Sequence, residues 1–490
     1  MKRWLFLIHR WLGIVVCLFM LLWFVSGVVM MYIGYPKLTA AERLARLPAL
    51  DRDRCCIAVS VAAQALSPGL HPSSITLSSA GARPQYQFAV NHKVFAVDAI
   101  SGVPVSHISA EDALAAAQVF MPQATARYLD RVNEDAWTHT RGLDMYRPLH
   151  RVQMDDAAQT LIYVSGVTGE VVRKATQTER IWNYAGAWLH WLYAFRGGAL
   201  EGAWYDIVVY LSLAGVLVAI SGSVIGIWRW RFRGRFRSGA KTPYRDLVMR
   251  WHHLVGLGFA AVTLTWVFSG LMSMNPWDVF KSTAPAMNRS AYAGAKLDPH
   301  TWPLDSHAAL RLLPPTWQAK ELRWQMLDGK PYLIAINGAG ATYLIDAAER
   351  RVGDAVPQAD LLHAAARLVD APIVGVDLLQ HDDLYYYSRE AHTMMGGGQH
   401  RLPVLRLRYA DAAQTWVHID PATGVVLGKL DRRQRVKRWL FAFLHSWDLP
   451  VFLASRPAWD IALILLSLGG LALSATGVVI GLRRLRGPMA

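Results

Sequence analysis

The chain has 490 residues, 53% of them hydrophobic and only 18% charged, with 20 Trp and 3 Cys. A soluble domain carries about 25% charged residues, so this balance excludes a disordered chain and an ordinary cytosolic protein and points to a membrane. So few cysteines exclude a disulfide-rich scaffold and a cysteine-only metal cluster.

Four segments, 11–32, 207–228, 254–274 and 461–482, are apolar and free of Asp, Glu, Lys and Arg. A helix of about 20 apolar residues crosses a bilayer core, so each is a membrane span. The first is too long for a signal peptide, and no small-residue cleavage site follows it, so it reads as an uncleaved anchor. The chain then divides into a first span to 33, an outer domain 34–203, a second span 204–228, a basic loop 229–253, a third span 254–274, an outer domain 275–457, and a fourth span with its tail 458–490.

Residues 1–10, 229–250 and the tail from Arg483 hold 14 basic residues against one acid, Asp246, which is +13 of the net +15. The positive-inside rule therefore places both termini and the middle loop in the cytoplasm and the two long segments outside. In a bacterium this is a multi-pass inner-membrane protein with periplasmic domains. The rest of the chain is close to neutral, which argues against nucleic acid; the basic pieces set topology and contact anionic lipid.

Within the long segments, 85–91, 94–98, 161–165 and 343–346 read as strands, each set followed by a Gly turn. Segments 111–120 and 360–369 read as short Ala-rich helices. The expected fold is therefore a membrane α-helical protein of four spans with two α+β outer domains, small antiparallel sheets each crossed by a helix.

The chain is also duplicated. A shift of 243 residues places His9 on His252, Gly13 on Gly256, Trp23 on Trp266, Ser26 on Ser269 and Gly27 on Gly270. A shift of 255 places His190 on His445, Gly222 on Gly477 and Asp156-Ala-Ala-Gln-Thr160 on Asp411-Ala-Ala-Gln-Thr415. Each half is span, outer domain, span, and two such halves predict a pseudo-twofold axis along the membrane normal.

The duplication pairs four histidines by depth. His9 and His252 each lie two residues before a span, and His190 and His445 each precede a span by a short loop. An ionisable residue at a span edge is a candidate functional group. On a helix, Gly13 lies on the face of His9, and Gly256 on that of His252. An imidazole with a glycine one turn on suits a flat macrocycle, so His9 with His252, and His190 with His445, are expected to clamp two haems. Arg10 and His253 are expected at the propionates, with His253 also a reserve ligand. Gly215, Gly222 and Gly226 read as helix-packing positions.

The motifs Leu7-Ile-His-Arg-Trp-Leu-Gly13, Trp23-x-x-Ser-Gly27, Trp188-Leu-His190 and Thr476-Gly477 resemble the PepSY-associated transmembrane family of bacterial inner-membrane proteins. The resemblance covers nearly the whole chain and implies PepSY-like outer domains. The family includes iron-regulated membrane proteins and haem-containing ferric-siderophore reductases. What the resemblance implies is an oxidoreductase carrying haem b, which takes electrons from a quinol or reductase and reduces a periplasmic ferric siderophore or other metal complex. No flavin or nicotinamide fingerprint is present, since Gly396-Gly-Gly398 lacks the spacing.

The acceptor site is poorly marked. Seven extra residues in the second half fall near the Gly-rich, His- and Met-containing segment 392–400, which reads as a loop or as a soft-metal site. Cys55 and Cys56 read as an exposed vicinal pair, and Tyr385 to Tyr387 as strand and core rather than a substrate face. The competing functions are a non-enzymatic membrane protein that binds a peptide or envelope partner, and a copper-linked metal reductase.

Overall fold

The computed structural model describes residues 2–67, 69–79, 81, 83–196, 199–388 and 400–487. Four long apolar helices, Lys2–Met30, Glu201–Arg229, Leu247–Ser273 and Ala458–Arg486, are each long enough to cross a membrane. The first packs on the second and fourth, and so does the third, so the first and third face each other across the bundle. Val15, Leu18, Leu217, Leu465 and Leu468 point outward and stay exposed. That is how a helix meets lipid, because hydrocarbon imposes no penalty on an apolar surface.

Two helices begin before the apolar run does. His9 and His252 were expected just ahead of their spans, yet both lie within a continuous helix. Hydropathy marks where a helix enters hydrocarbon; a cap marks where it starts. Here the Asp246 carboxylate accepts from the Met249 N–H at 2.9 Å and caps the third helix.

The strands form three sheets. One has four strands, β5 (Thr125–Val132), β6 (Leu149–Asp155), β7 (Leu161–Ser165) and β8 (Val171–Ala175). The helix Ala110–Phe120 packs its Ala113, Ala117 and Phe120 on this sheet. Another has β13 (Ile373–Leu379), β14 (Val404–Tyr409), β15 (Trp416–Ile419) and β16 (Val426–Leu430), with helix Gln358–Ala365 against it. The expected strands and helices thus form, within a residue or two of their bounds at most ends.

The third sheet joins the two long segments. It holds β1 (Ser74–Ser78), β2 (Gln85–Val90), β3 (Lys93–Asp98) and β4 (Pro104–Val105) from the first, and β9 (Ala319–Leu327), β10 (Lys330–Asn337), β11 (Thr342–Asp346) and β12 (Arg351–Gly353) from the second. Strands β1 and β9 pair antiparallel, with Ile75 opposite Trp324 and Leu77 opposite Leu322. The core beneath mixes Ile75, Tyr86 and Phe88 with Leu322, Trp324 and Leu333. So 34–203 and 275–457 share one sheet and one core rather than forming two separate bodies. An unpaired strand edge is costly to leave open, and the two halves close each other's.

A buried ion cluster fastens the same junction. Arg43 bonds Glu170 at 2.7 Å and also Glu321, which is 1% exposed. Burial alone would raise the Glu321 carboxyl; the guanidinium groups of Arg43 and Arg323 outweigh it and hold the acid below its ordinary range.

Cys55 and Cys56 are linked to each other as a disulfide, and Cys55 is buried at 2% exposure, not exposed as expected. Its side chain belongs to the shared core. Tyr385 and Tyr386 lie in a bend rather than a strand, since Asp383 accepts from their N–H groups and turns the chain there, and Tyr386 is buried as expected.

Candidate functional site

Two short helical hooks lead from the sheets down to the bundle. The first runs through Gln177–Asn183 and Tyr184–Trp188 to His190 and ends at Leu192, in the left-handed region at φ 53°. The second runs through Arg432–Lys437, Arg438–Phe443 and Leu444–Ser446 and ends at Trp447, φ 50°. A left-handed non-glycine residue costs roughly 1–2 kcal/mol, so something must hold each turn. Trp204 donates its indole N–H to Trp191 O at 2.7 Å, and Trp459 donates to Trp447 O at 3.2 Å. The second hook is further held by Arg438, which bonds the fully buried Asp448 at 2.7 Å.

Each hook lays its histidine against a membrane helix where that helix has a glycine. A Cβ on Gly27 would meet His190 Cε1 at 3.7 Å, and one on Gly270 would meet His445 Cε1 at 3.8 Å. The two rings then face each other at the sheet end of the bundle, their centroids 6.0 Å apart. At the end carrying the termini, His9 on the first helix and His252 on the third face each other with centroids 6.3 Å apart. The structure therefore brings together both pairs that the duplication suggested. From His9 to Gly27 the first helix rises roughly 27 Å at about 1.5 Å per residue, which sets the distance between the pairs.

Each of the four rings has an oxygen partner at Nδ1, a hydroxyl in three and a carbonyl in one. Ser26 Oγ lies 3.0 Å from His190 Nδ1 and donates its own hydrogen to Leu22 O at 2.7 Å. It has no second hydrogen, so it accepts from Nδ1–H. Ser269 does the same for His445 at 3.0 Å while donating to Trp266 O at 2.9 Å. Thr476 does it for His252 at 3.0 Å while donating to Ala472 O at 2.9 Å. His9 Nδ1 donates to a carbonyl, Val218 O, at 3.1 Å. In this arrangement each ring can carry its proton on Nδ1, with Nε2 as the nitrogen that would bind a metal. This is how a metal-binding imidazole is oriented by its outer hydrogen bond.

The spacing agrees with that role. Two metal–imidazole bonds of about 2.0–2.1 Å, plus roughly 1 Å from each nitrogen to its ring centre, sum to about 6 Å. The centroid separations of 6.3 and 6.0 Å match that sum. Among the described residues no group of three or more His, Cys, Asp or Glu is arranged to hold a bare ion. Two axial imidazoles suit a metal whose remaining positions are filled by a macrocycle.

A cavity of about 480 Å³ surrounds the inner pair. That lies within the range of about 300–1,000 Å³ typical for cofactor pockets. Gly13 and Gly256 line it, as the helix period suggested, and a Cβ on Gly13 would meet only Val218, at 4.0 Å. Gly222 and Gly477 line it too. A Cβ on Gly222 would stand 2.6 Å from His9 Cε1, and one on Gly477 would stand 3.6 Å from His252 Cε1. Gly222 was expected to pack helices; it backs a histidine instead. Gly215 does pack helices, against Val267 and Val16. Arg10, with Arg229 and Arg484, lines the cavity and gives it cationic groups.

His253 also lines the cavity, but both its ring nitrogens are engaged. Nε2 donates to Gly226 O at 2.8 Å, and Nδ1 accepts from Thr242 Oγ1 at 2.7 Å. It ties the basic loop to the bundle, which leaves no nitrogen for metal in this arrangement.

In the second half, Arg406 bonds Asp383 through two nitrogens, at 2.6 and 3.0 Å, and donates Nε–H to His418 Nε2 at 2.9 Å. Burial, then the nearby Arg406, pushes His418 down to about 4. Tyr386 lies between the rings of His418 and His400. Segment 389–399, which carries most of the Gly-rich insertion, lies outside the described residues.

Four membrane-crossing helices joined to antiparallel sheets, with two facing imidazole pairs in the bundle, define a multi-pass membrane protein with α+β domains and two candidate cofactor sites. The chain belongs to the family described as the PepSY-associated TM region, whose model matches residues 6–484. No curated protein matches the chain.

Proposed function

We propose that this chain is a di-haem electron-transfer protein of the bacterial inner membrane that reduces a periplasmic ferric complex, such as a ferric siderophore. The observation that carries this reading is the arrangement of the four histidines: each Nδ1 lies against a hydroxyl or carbonyl, and the rings form two pairs with centroids 6.3 and 6.0 Å apart. A structural histidine has no need of a matched partner at that separation.

His9 and His252 would hold the inner haem b, and His190 and His445 the outer one. When bound, each supplies a one-electron Fe(III)/Fe(II) couple. Gly13, Gly256, Gly222 and Gly477 keep side chains out of the slot between the inner imidazoles. Arg10, Arg229 and Arg484 offer charge to carboxylates at its cytoplasmic mouth. The 14 basic residues of the short segments hold that end in the cytoplasm, where a quinol or a reductase is the electron donor. The two halves relate through a pseudo-twofold axis that places equivalent imidazoles at equal depth. Hard oxygen ligands bind Fe(II) more weakly than Fe(III), so reduction frees the metal.

The test is an absorption spectrum of the purified protein before and after dithionite. Two haem b groups per chain are expected. His190→Ala with His445→Ala should remove one group and the ferric reductase activity, and His9→Ala with His252→Ala the other. A colourless protein would sink this reading in favour of a partner-binding module.

A further inference from the structure

We propose that a cavity at Arg432 and Arg433 binds an anionic phospholipid from the leaflet on the sheet side of the bundle, with the lipid phosphate on the two guanidinium groups. None of the four paired histidines lines this cavity, and the proposal does not depend on the electron-transfer reading above.

The first observation is depth. The third membrane helix ends at Ser273, and Tyr205, near the start of the second, donates its Oη–H to Asn275 O at 3.2 Å, so the two helix ends lie level. The chain then turns through Pro276–Asp278 and reaches Val279 and Phe280, which line the cavity together with Val436 of the second hook. Trp277, Val279 and Val436 are exposed, and so is Ile181, the counterpart of Val436 on the first hook. Exposed indole and aliphatic side chains at the end of a membrane helix mark the level of the lipid headgroups.

The second observation is charge. Arg432, Arg433 and Val436 share one face of the helix Arg432–Lys437, and all three line the cavity. Arg433 reaches Lys281 O at 3.5 Å, and among the described residues neither guanidinium is paired with a carboxylate. The acids nearest in the chain are already satisfied. Asp431, 0% exposed, accepts from the Thr283 and Gln434 N–H groups, and Asp278 pairs with Lys281 at 3.5 Å. Two such guanidinium groups at the membrane surface suit a phosphodiester, whose oxygens accept their parallel N–H bonds.

The third observation is shape and asymmetry. The cavity has a volume of about 340 Å³, which holds a headgroup, while Val279, Phe280 and Val436 give the glycerol and the first methylenes an apolar wall. The exposed Val279 and Val436 then let the acyl chains leave towards the bilayer. At the shift of 255, Arg432, Arg433 and Gln434 correspond to Gln177, Thr178 and Glu179. The first hook thus has an acid and neither cation at these positions, so the site belongs to the second half alone.

The full-length protein, delipidated in dodecyl maltoside and titrated with photoactivatable phosphatidylglycerol or phosphatidylcholine, provides the test. Peptide mapping locates the crosslinks, and their yield against lipid concentration gives the affinity of each site. Phosphatidylglycerol should crosslink to 279–283 and 432–436, and phosphatidylcholine should do so about tenfold more weakly or less. Arg432→Gln with Arg433→Gln should weaken phosphatidylglycerol there by about tenfold or more, with an unchanged melting temperature in detergent alone. Arg233→Gln with Arg237→Gln, in the basic loop, should leave that crosslink in place. Unchanged affinity in the Arg432 and Arg433 variant overturns the proposal, as do crosslinks confined to the basic loop or equal binding of phosphatidylcholine. Glycerol 3-phosphate at the same concentration should not compete; equal competition overturns the proposal, because the cavity then takes a soluble phosphate. Native mass spectrometry reads the remaining occupant. A dimer that survives delipidation and is lost in the Arg432 and Arg433 variant overturns the proposal in favour of a second copy of this chain.

Discussion

His9 and His252 face each other across the bundle with their ring centroids 6.3 Å apart, although 242 residues of chain lie between them. The two helices meet through Phe24 and Trp266 further along, 5.9 Å apart, while each leans its imidazole on a neighbouring helix. His9 is bonded to Val218 O on the second helix, and His252 to Thr476 on the fourth.

Adding a methyl group at Gly222 should displace the His9 ring, because a Cβ there stands 2.6 Å from Cε1. Gly222→Ala is expected to abolish the inner site and leave the outer one, read as half the haem content per chain. Gly258→Ala is the control, since nothing lies within 4 Å of a Cβ there. It should keep full content and gain up to about 1 kcal/mol of helix stability.

Removing the hydroxyl of Ser26 leaves His190 Nδ1–H without its acceptor. A buried donor left unpaired costs about 1–3 kcal/mol. Ser26→Ala should lower the melting temperature and weaken haem retention at the outer site, while Ser26→Thr restores both. Retention unchanged in the alanine variant would show that the hydroxyl does not orient the ring.

Arg438→Leu takes the guanidinium away from Asp448, which is 0% exposed and also accepts from Tyr387 Oη–H at 2.7 Å. Breaking a buried ion pair from one side costs about 3–5 kcal/mol. The second hook should loosen, with a lower unfolding midpoint and loss of the outer spectrum before the inner one.

Acid should weaken the second-half sheet. His418 is pushed from its ordinary 6.5 to about 4 by burial and then by Arg406, so the folded form keeps it neutral. The unfolded chain binds that proton first, and stability is lost as pH falls from about 6.5 towards 4, by up to roughly 3 kcal/mol. Burial would raise the Asp383 carboxyl, but bonds from Arg406 and two backbone N–H groups hold it low, so its contribution is also lost with acid, in the carboxylate range. Midpoints of urea unfolding across pH 4–7 should shift less in His418→Gln than in the wild type.

The spans were legible because hydropathy is a local signal, and both histidine pairs because the repeat aligns them, at shifts of 243 and 255. The matched Ser26 and Ser269 were visible as well, but their role was not: a serine in a helix says nothing of the ring it will meet from a hook 164 residues on. Gly222 looked like a packing glycine for the same reason. The pairing of β1 with β9 has no local trace, since each strand reads as an ordinary edge until its partner is known. Conversely, Cys55 looked exposed only because its polar neighbours Asp51 to Arg54 hid the core beneath.

That strand pairing has a practical corollary. A polypeptide nicked within the basic loop would yield two fragments, each with two membrane helices and half of the eight-stranded sheet. Complementary edges at β1 and β9 make each fragment the natural template for the other. Co-expressed as separate genes, the fragments should reassemble into a working heterodimer, whereas either one alone would expose an unsatisfied edge and aggregate.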